Sequence, residues 1–311
     1  MPVKLIRQGD FFPDSRPTVV TTGTFDGVHL GHSKILERLC ERARFHSGVS
    51  VVMSFEPHPR KVLFPDAAPV HMLSTIEEKM ERLTFYGIDY LYLIPFTLEF
   101  SHKSSLEFIE QDIVTGLRPV CLVTGYDHHF GKDRQGSIDD LRVSGEKYGF
   151  EVEEIPALDL DQVAVSSSII RKALMQGDVH TAARYLGYPY TLSGLVVAGD
   201  RLGRTLGFPT ANLSLAQNDK LIPSDGVYAC RVEVDAIDYA CMLNIGNRPT
   251  FQGIDRRIEA HLIGFSGDLY GKMLRVFFVE RIRDEMKFSG AQALISQLEK
   301  DLTKASELLS D

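Results

Sequence analysis

The sequence predicts two domains in tandem: an α/β domain on a parallel sheet over residues 1–186, and a small antiparallel β-barrel with a terminal helix over residues 187–311. Three observations predict this. At 311 residues the chain is about twice a typical domain length. Apolar strand-like runs alternate with amphipathic helical patterns as far as Leu186. After Leu186-Gly187-Tyr188-Pro189 the alternation gives way to short strand-like runs divided by turns rich in Gly, Asp and Pro.

In the first part, the strand Pro17 to Val20 runs into Thr21-Thr22-Gly23-Thr24-Phe25-Asp26-Gly27-Val28-His29-Leu30-Gly31-His32, and Ile35, Leu36, Leu39 and Ala43 then recur at helical spacing up to Gly48. A strand, a glycine-rich turn and a helix start are where α/β folds bind phosphates. Gly23, Gly27 and Gly31 let the backbone turn tightly and approach a ligand, and the N–H groups of a helix start attract anions. His29 and His32, three apart, fall on one side of a first helical turn, where two ring donors can converge on one phosphate.

The strand Val49–Phe55 follows and ends in Glu56-Pro57-His58-Pro59-Arg60, which by itself reads as a rigid loop. Ser74-Thr75-Ile76-Glu77 reads as a capping box for a helix that turns Ile76, Met80 and Leu83 inward and stops at Gly87. The strand Tyr90–Ile94, a second capping box of Ser104 with Glu107 before Leu106, Ile109 and Ile113, and the strand Val120–Val123 complete the alternation. In such sheets ligands sit at the carboxyl ends of the strands. There lies Gly125-Tyr126-Asp127-His128-His129-Phe130-Gly131-Lys132-Asp133-Arg134-Gln135-Gly136, which is not a Walker A loop because Asp133 stands where Ser or Thr is required. In Val165-Ser166-Ser167-Ser168-Ile169-Ile170-Arg171, hydroxyls at a helix start with an arginine one turn later can clamp phosphates; a plain serine cap has the same look.

In the second part Leu192–Val197, Val227–Val234, Tyr239–Ile245, Ile258–Ile263 and Leu274–Val279 are strand-like, and barrel closure removes their open edges. A final helix aligns Leu294, Ile295, Leu298, Leu302 and Leu308. The loop Gly199-Asp200-Arg201-Leu202-Gly203-Arg204-Thr205-Leu206-Gly207-Phe208-Pro209 suits a run along phosphates, and beyond it Thr210 and Asn212, two apart on an extended segment, offer oxygen ligands to Mg²⁺. Strand alternation turns Ile258, Ala260 and Leu262 into the core and leaves Glu259 and His261 on the other face.

A net charge of −8 argues against a general nucleic-acid or anionic-membrane binder and favours small substrates. Cys40, Cys121, Cys230 and Cys241 show no pairing motif, Met1 to Gln8 lack the apolar core of a signal peptide, and no run approaches membrane-spanning length, so a reduced cytoplasmic setting is expected.

Gly-Thr-Phe-Asp-Gly-Val-His-Leu-Gly-His resembles the HxGH signature of the nucleotidylyltransferase superfamily, in the form found in bacterial bifunctional riboflavin kinase/FMN adenylyltransferases, or FAD synthetases. Phe55-Glu56-Pro57-His58-Pro59 is similar to that family too. The segment at Asp127 resembles its Gly-x-Asp-Phe-x-Phe-Gly, departing at His128 and His129, and Ser166 to Arg171 resembles Ser-Ser-Thr-x-Ile-Arg with Ser168 for threonine. Gly203 to Asn212 resembles the riboflavin kinase signature, joined by Asp225 to Ala229, Asn244 to Phe251 and Gly267 to Gly271.

The resemblance implies a Rossmann-like nucleotidylyltransferase domain and a riboflavin-kinase barrel, with ATP as co-substrate, FMN and FAD as product ligands, and Mg²⁺. Gly23, Phe25, Asp26, Gly31, Asp127, Ser166, Ser167 and Ser168 would hold nucleotide in the first domain; His29 and His32 would stabilise the α-phosphate and Arg171 the leaving pyrophosphate. In the second, Gly203, Arg204, Gly207 and Pro209 would hold phosphates, Thr210 and Asn212 the metal, and Glu259 would be the base. The rival readings are an adenylyltransferase for another phosphate monoester and a non-catalytic flavin sensor.

Overall fold

A computed structural model describes residues 1–126, 129–156, 159–160, 163–199, 202–215, 217, 219–250 and 253–310. It divides into two compact units, Met1–Ser167 and Ser168–Asp311.

The first unit is a parallel sheet of β1 (Lys4–Arg7), β2 (Thr18–Thr22), β3 (Val49–Glu56), β4 (Tyr90–Pro95), β5 (Pro119–Gly125) and β6 (Glu151–Ile155), in the order β1-β4-β3-β2-β5-β6. All five residues of β2 are buried, as a central strand covered on both faces requires. On one face Leu36 and Leu39, from the helix Leu30–Phe45, pack with Leu83. On the other face Ile109, Ile113, Leu117 and Leu141 form the second apolar layer. From β2 the chain builds outward through β3 to β4, then returns to lay β5 and β6 on the opposite side of β2. At the β2/β5 boundary, successive connections therefore leave in opposite directions and open a crevice at the carboxyl ends of the strands. A short ladder of β7 (Asp159–Leu160) with β8 (Val163–Ala164) precedes the second unit.

Two local expectations are corrected. The first capping box is centred on Thr75 rather than Ser74: Glu78 N–H donates to Thr75 Oγ1 at 3.2 Å and Thr75 N–H to the Glu78 carboxylate at 2.9 Å. Ser74 instead turns its hydroxyl to accept the Gly27 N–H at 3.0 Å. The Ser104–Glu107 box forms as expected, but the one turn it caps passes into a π-helix, Phe108–Thr115, which buries Ile109 and Ile113 and leaves Leu106 exposed.

In the second unit β9 (Thr191–Val197), β10 (Ala211–Leu215), β11 (Gly226–Val234), β12 (Ile237–Thr250), β13 (Gly253–Leu262) and β14 (Met273–Arg283) close an antiparallel barrel in the order β10-β13-β12-β11-β14-β9. Five of these strands match the expected runs, with β13 ending at Leu262, one residue before the expected Ile263; β10, the sixth, is the extended segment that carries Asn212. The terminal helix Ala291–Leu308 packs on β11, β12 and β14. Its anchor is ionic as well as apolar. Asp301, 1% exposed, accepts both Nε and Nη2 of Arg283 at 2.7–3.0 Å and Nε2 of Gln297 at 2.8 Å, beside Ala305 and Leu309.

Candidate active sites

The turn after β2 is held in a conformation that a free chain avoids. Phe25 (φ 45°), Gly27 (φ 80°) and Val28 (φ 38°) are left-handed, and for the two non-glycines this costs on the order of 1 kcal/mol each. Asp26 secures it. Its carboxylate, 3% exposed, accepts the Leu73 N–H at 3.0 Å and the Ser74 N–H at 3.1 Å, and its carbonyl accepts the Ser167 hydroxyl at 3.0 Å. Gly31 is required by contact: a Cβ there would lie 2.7 Å from the Val165 carbonyl and 3.0 Å from the His29 ring. Gly23 lies under the Phe25 ring, 3.1 Å from where its Cβ would be.

On this scaffold the His29 and His32 rings stack at 3.7 Å and 22°, with Phe25 4.8 Å from His32. The expected pairing of the two imidazoles is therefore present, at the N-terminus of a 16-residue helix with no acidic residue in its first turn. Burial, the neighbouring His29 and the Lys79 ammonium all push the His32 ring well below the usual imidazole range, which favours the neutral ring at physiological pH.

Sequence reasoning missed Lys79. Its ammonium is buried beneath the turn, donating to the Thr24 carbonyl at 2.8 Å and the Ser54 hydroxyl at 3.2 Å. The signal was present, because Ile76, Lys79 and Leu83 share the inward stripe of their helix. Ser168 and half-buried Arg171 lie on the helix Ser167–Met175, and Ser166 just before it. Asp127 lies outside the described residues.

The barrel site is a row across three strands. Glu259 on β13 stands opposite Asn212 on β10 and opposite Asn244 on β12, while Ile258, Ala260 and Leu262 are buried, as alternation predicted, and so is Ala211 on β10. Asn244 belongs to the motif Asn244 to Phe251, and register is what brings it beside Glu259. Thr210, exposed, immediately precedes β10. The loop glycines are fixed by crowding. A Cβ on Gly203 would lie 2.3 Å from the Phe208 carbonyl, one on Gly199 2.2 Å from Asn212 Nδ2, and Gly207 has φ 86°. His261 Nδ1–H donates to the Pro209 carbonyl at 2.8 Å, tying the loop to β13. The side chain of Arg204 lies outside the described residues. Beside Thr210 a cleft opens between Pro209, Leu262, Asp268 and Tyr270. The Thr210 hydroxyl and the Asn212 side-chain carbonyl, the latter crowded against Gly199, are oxygen donors of the kind a small hard cation such as Mg²⁺ takes.

Two family models match the chain in tandem: FAD synthetase over residues 12–169 and riboflavin kinase over residues 186–309. Among curated relatives, the bifunctional riboflavin kinase/FMN adenylyltransferase of Pseudomonas fluorescens is 38% identical over 95% of this chain and 94% of its own length. That of Bacillus subtilis is 38% identical over 94% and 93%. A solved structure described as a macrolide-efflux protein from Streptococcus pneumoniae is 32% identical with a TM-score of 0.90, covering 97% of this chain and 98% of that one. Among the described residues no helix is long and apolar enough to cross a membrane. With both models matched in order and the full-length relatives agreeing on one description, the chain belongs to the bifunctional riboflavin kinase/FMN adenylyltransferase family.

Proposed function

We infer that the protein is a transferase of FAD biosynthesis: it phosphorylates riboflavin with ATP to FMN and adenylylates FMN with ATP to FAD and pyrophosphate. The observation that carries this reading is the second site in the barrel, where Glu259 sits in register between Asn212 and Asn244. An adenylyltransferase for some other phosphate monoester has no use for such a row, and a flavin sensor has no use for a base.

In the adenylyl step a phosphate oxygen of FMN attacks the α-phosphorus of ATP and the bond to the β-phosphate breaks. No covalent enzyme intermediate is needed, so positioning and charge stabilisation carry the rate. His29 and His32 serve the α-phosphate, the turn glycines and the serines at 166–168 the phosphate chain, and Arg171 the leaving pyrophosphate. In the kinase step Glu259 takes the proton of the ribityl 5′-hydroxyl as that oxygen attacks the γ-phosphorus of ATP, and ADP leaves. Thr210 and Asn212 would hold Mg²⁺, which neutralises phosphate charge when bound. The proposed division of activities is 1–186 and 187–311. The helices between Ser168 and Leu186 belong to the second compact unit. Small flavins and ATP are the partners, and the four free, buried cysteines fit a cytoplasmic setting.

The test is incubation with riboflavin, ATP and Mg²⁺ followed by chromatography of the flavins. FMN should appear first and FAD after it; FMN without FAD, or neither, overturns the reading.

A further inference from the structure

Lys79 is a buried charge that the reaction as described leaves unused. It is 6% exposed, and the three N–H bonds of its ammonium meet two neutral acceptors, the Thr24 carbonyl and the Ser54 hydroxyl. Among the described residues no carboxylate lies within ion-pair distance of it. Burial accordingly lowers its proton affinity, against a smaller pull from Asp26 and Glu56. Sealing an ammonium in this way is strongly unfavourable unless a nearby negative charge offsets it in some state of the protein.

Its partners indicate which state. Ser54, fully buried at the end of β3, also donates to the Thr24 carbonyl, at 3.0 Å, so that one oxygen receives two donors from beneath the turn. A trans peptide is planar, with its C=O and N–H antiparallel. Drawing Thr24 O toward Lys79 therefore turns the Phe25 N–H the other way, and among the described residues that N–H meets no acceptor. Phe25 begins the left-handed stretch that leads to His29, so the orientation of this peptide sets the start of the anion-binding turn.

We propose that Lys79 is a positioning residue for adenylyl transfer: through the Thr24 carbonyl and the Ser54 hydroxyl it fixes the Thr24–Phe25 peptide so that the Phe25 N–H is presented to the phosphate bound at the turn. The nucleotide phosphates supply the negative charge that its burial otherwise lacks. This rests on the adenylyltransferase reading of the turn.

The two activities of one chain make the test internally controlled. In the full-length protein, Lys79→Met keeps the apolar stem and removes the charge and donors, while Lys79→Arg keeps the charge. FAD formation from FMN and ATP, FMN formation from riboflavin and ATP, and the melting temperature are measured on the same preparations. Lys79→Met should lower kcat for FAD formation about 10²-fold or more, in the range seen when a single preorganised donor is lost. KM for FMN and the rate of FMN formation should stay within about threefold, and the melting temperature should hold or rise, as removal of an unpaired buried charge predicts. Lys79→Arg should recover about tenfold of the loss. A Lys79→Met rate of FAD formation within about threefold of wild type overturns the proposal. So does a loss shared by FMN formation or accompanied by a lower melting temperature, since Lys79 would then only hold the fold. Wild-type protein that makes FMN but no FAD overturns the adenylyltransferase reading itself, and the proposal with it.

Discussion

In the first unit the two histidines lie three residues apart on a single turn, whereas in the barrel Asn212, Asn244 and Glu259 are supplied by three strands and meet only because those strands pair in one register. A contiguous site depends on local backbone strain and on the side chains that hold the strain in place, here Asp26, Ser54 and Lys79. A cross-strand site depends on distant pairing, and a slip of one residue would carry Glu259 to the opposite face of the sheet. One chain thus offers two sites with different points of failure and separate product readouts.

The largest effect is expected at the turn. His29→Ala combined with His32→Ala should reduce FAD formation by about 10³-fold or more, because both donors to the charge developing on the α-phosphate go together, while FMN accumulates. FAD output that stays undiminished would remove these rings from the chemistry.

Next, Glu259→Gln preserves shape and hydrogen bonding and removes the base. Riboflavin phosphorylation should fall by about 10²-fold, with FAD synthesis from supplied FMN intact. A kinase rate within a few-fold of wild type would make Glu259 surface.

The smallest effect separates the sites by pH. The His32 ring binds a proton less readily in the folded protein than its ordinary 6.5 in an unfolded chain. As pH falls through about 6.5 the unfolded state takes up the proton first, so stability declines; above that pH the contribution is constant. In His32→Gln the drop in melting temperature between pH 7.5 and 5.5, measured by circular dichroism, should be smaller than in wild type. An unchanged drop would show that the ring titrates normally.

What the sequence made legible follows the same division. The turn could be read because its glycines, histidines and flanking apolar runs are adjacent, and the alternation around Glu259 because period two survives in β13. Asn244 could not be placed beside Glu259, since register is decided by the closure of the whole barrel. β1 and β6 went unread because edge strands such as Lys4–Arg7 and Glu151–Ile155 carry charged residues that break an apolar pattern. Lys79 escaped for the opposite reason. A lysine on an apolar stripe is ordinarily taken as a residue that reaches out to solvent, and only the Thr24 carbonyl and Ser54 hydroxyl at the end of β3 explain why this one turns inward.

The strand order of the parallel sheet also sets a timetable for synthesis. β2 gains its first neighbour, β3, within a few tens of residues, but its second edge waits for β5, roughly a hundred residues later. At typical elongation rates that interval lasts about 5–20 s, during which a nascent chain presents an unpaired strand edge. The crevice at the β2/β5 boundary is thus the last seam to close around β2, and ribosome stalling between residues 56 and 119 would leave the chain at its most exposed to aggregation.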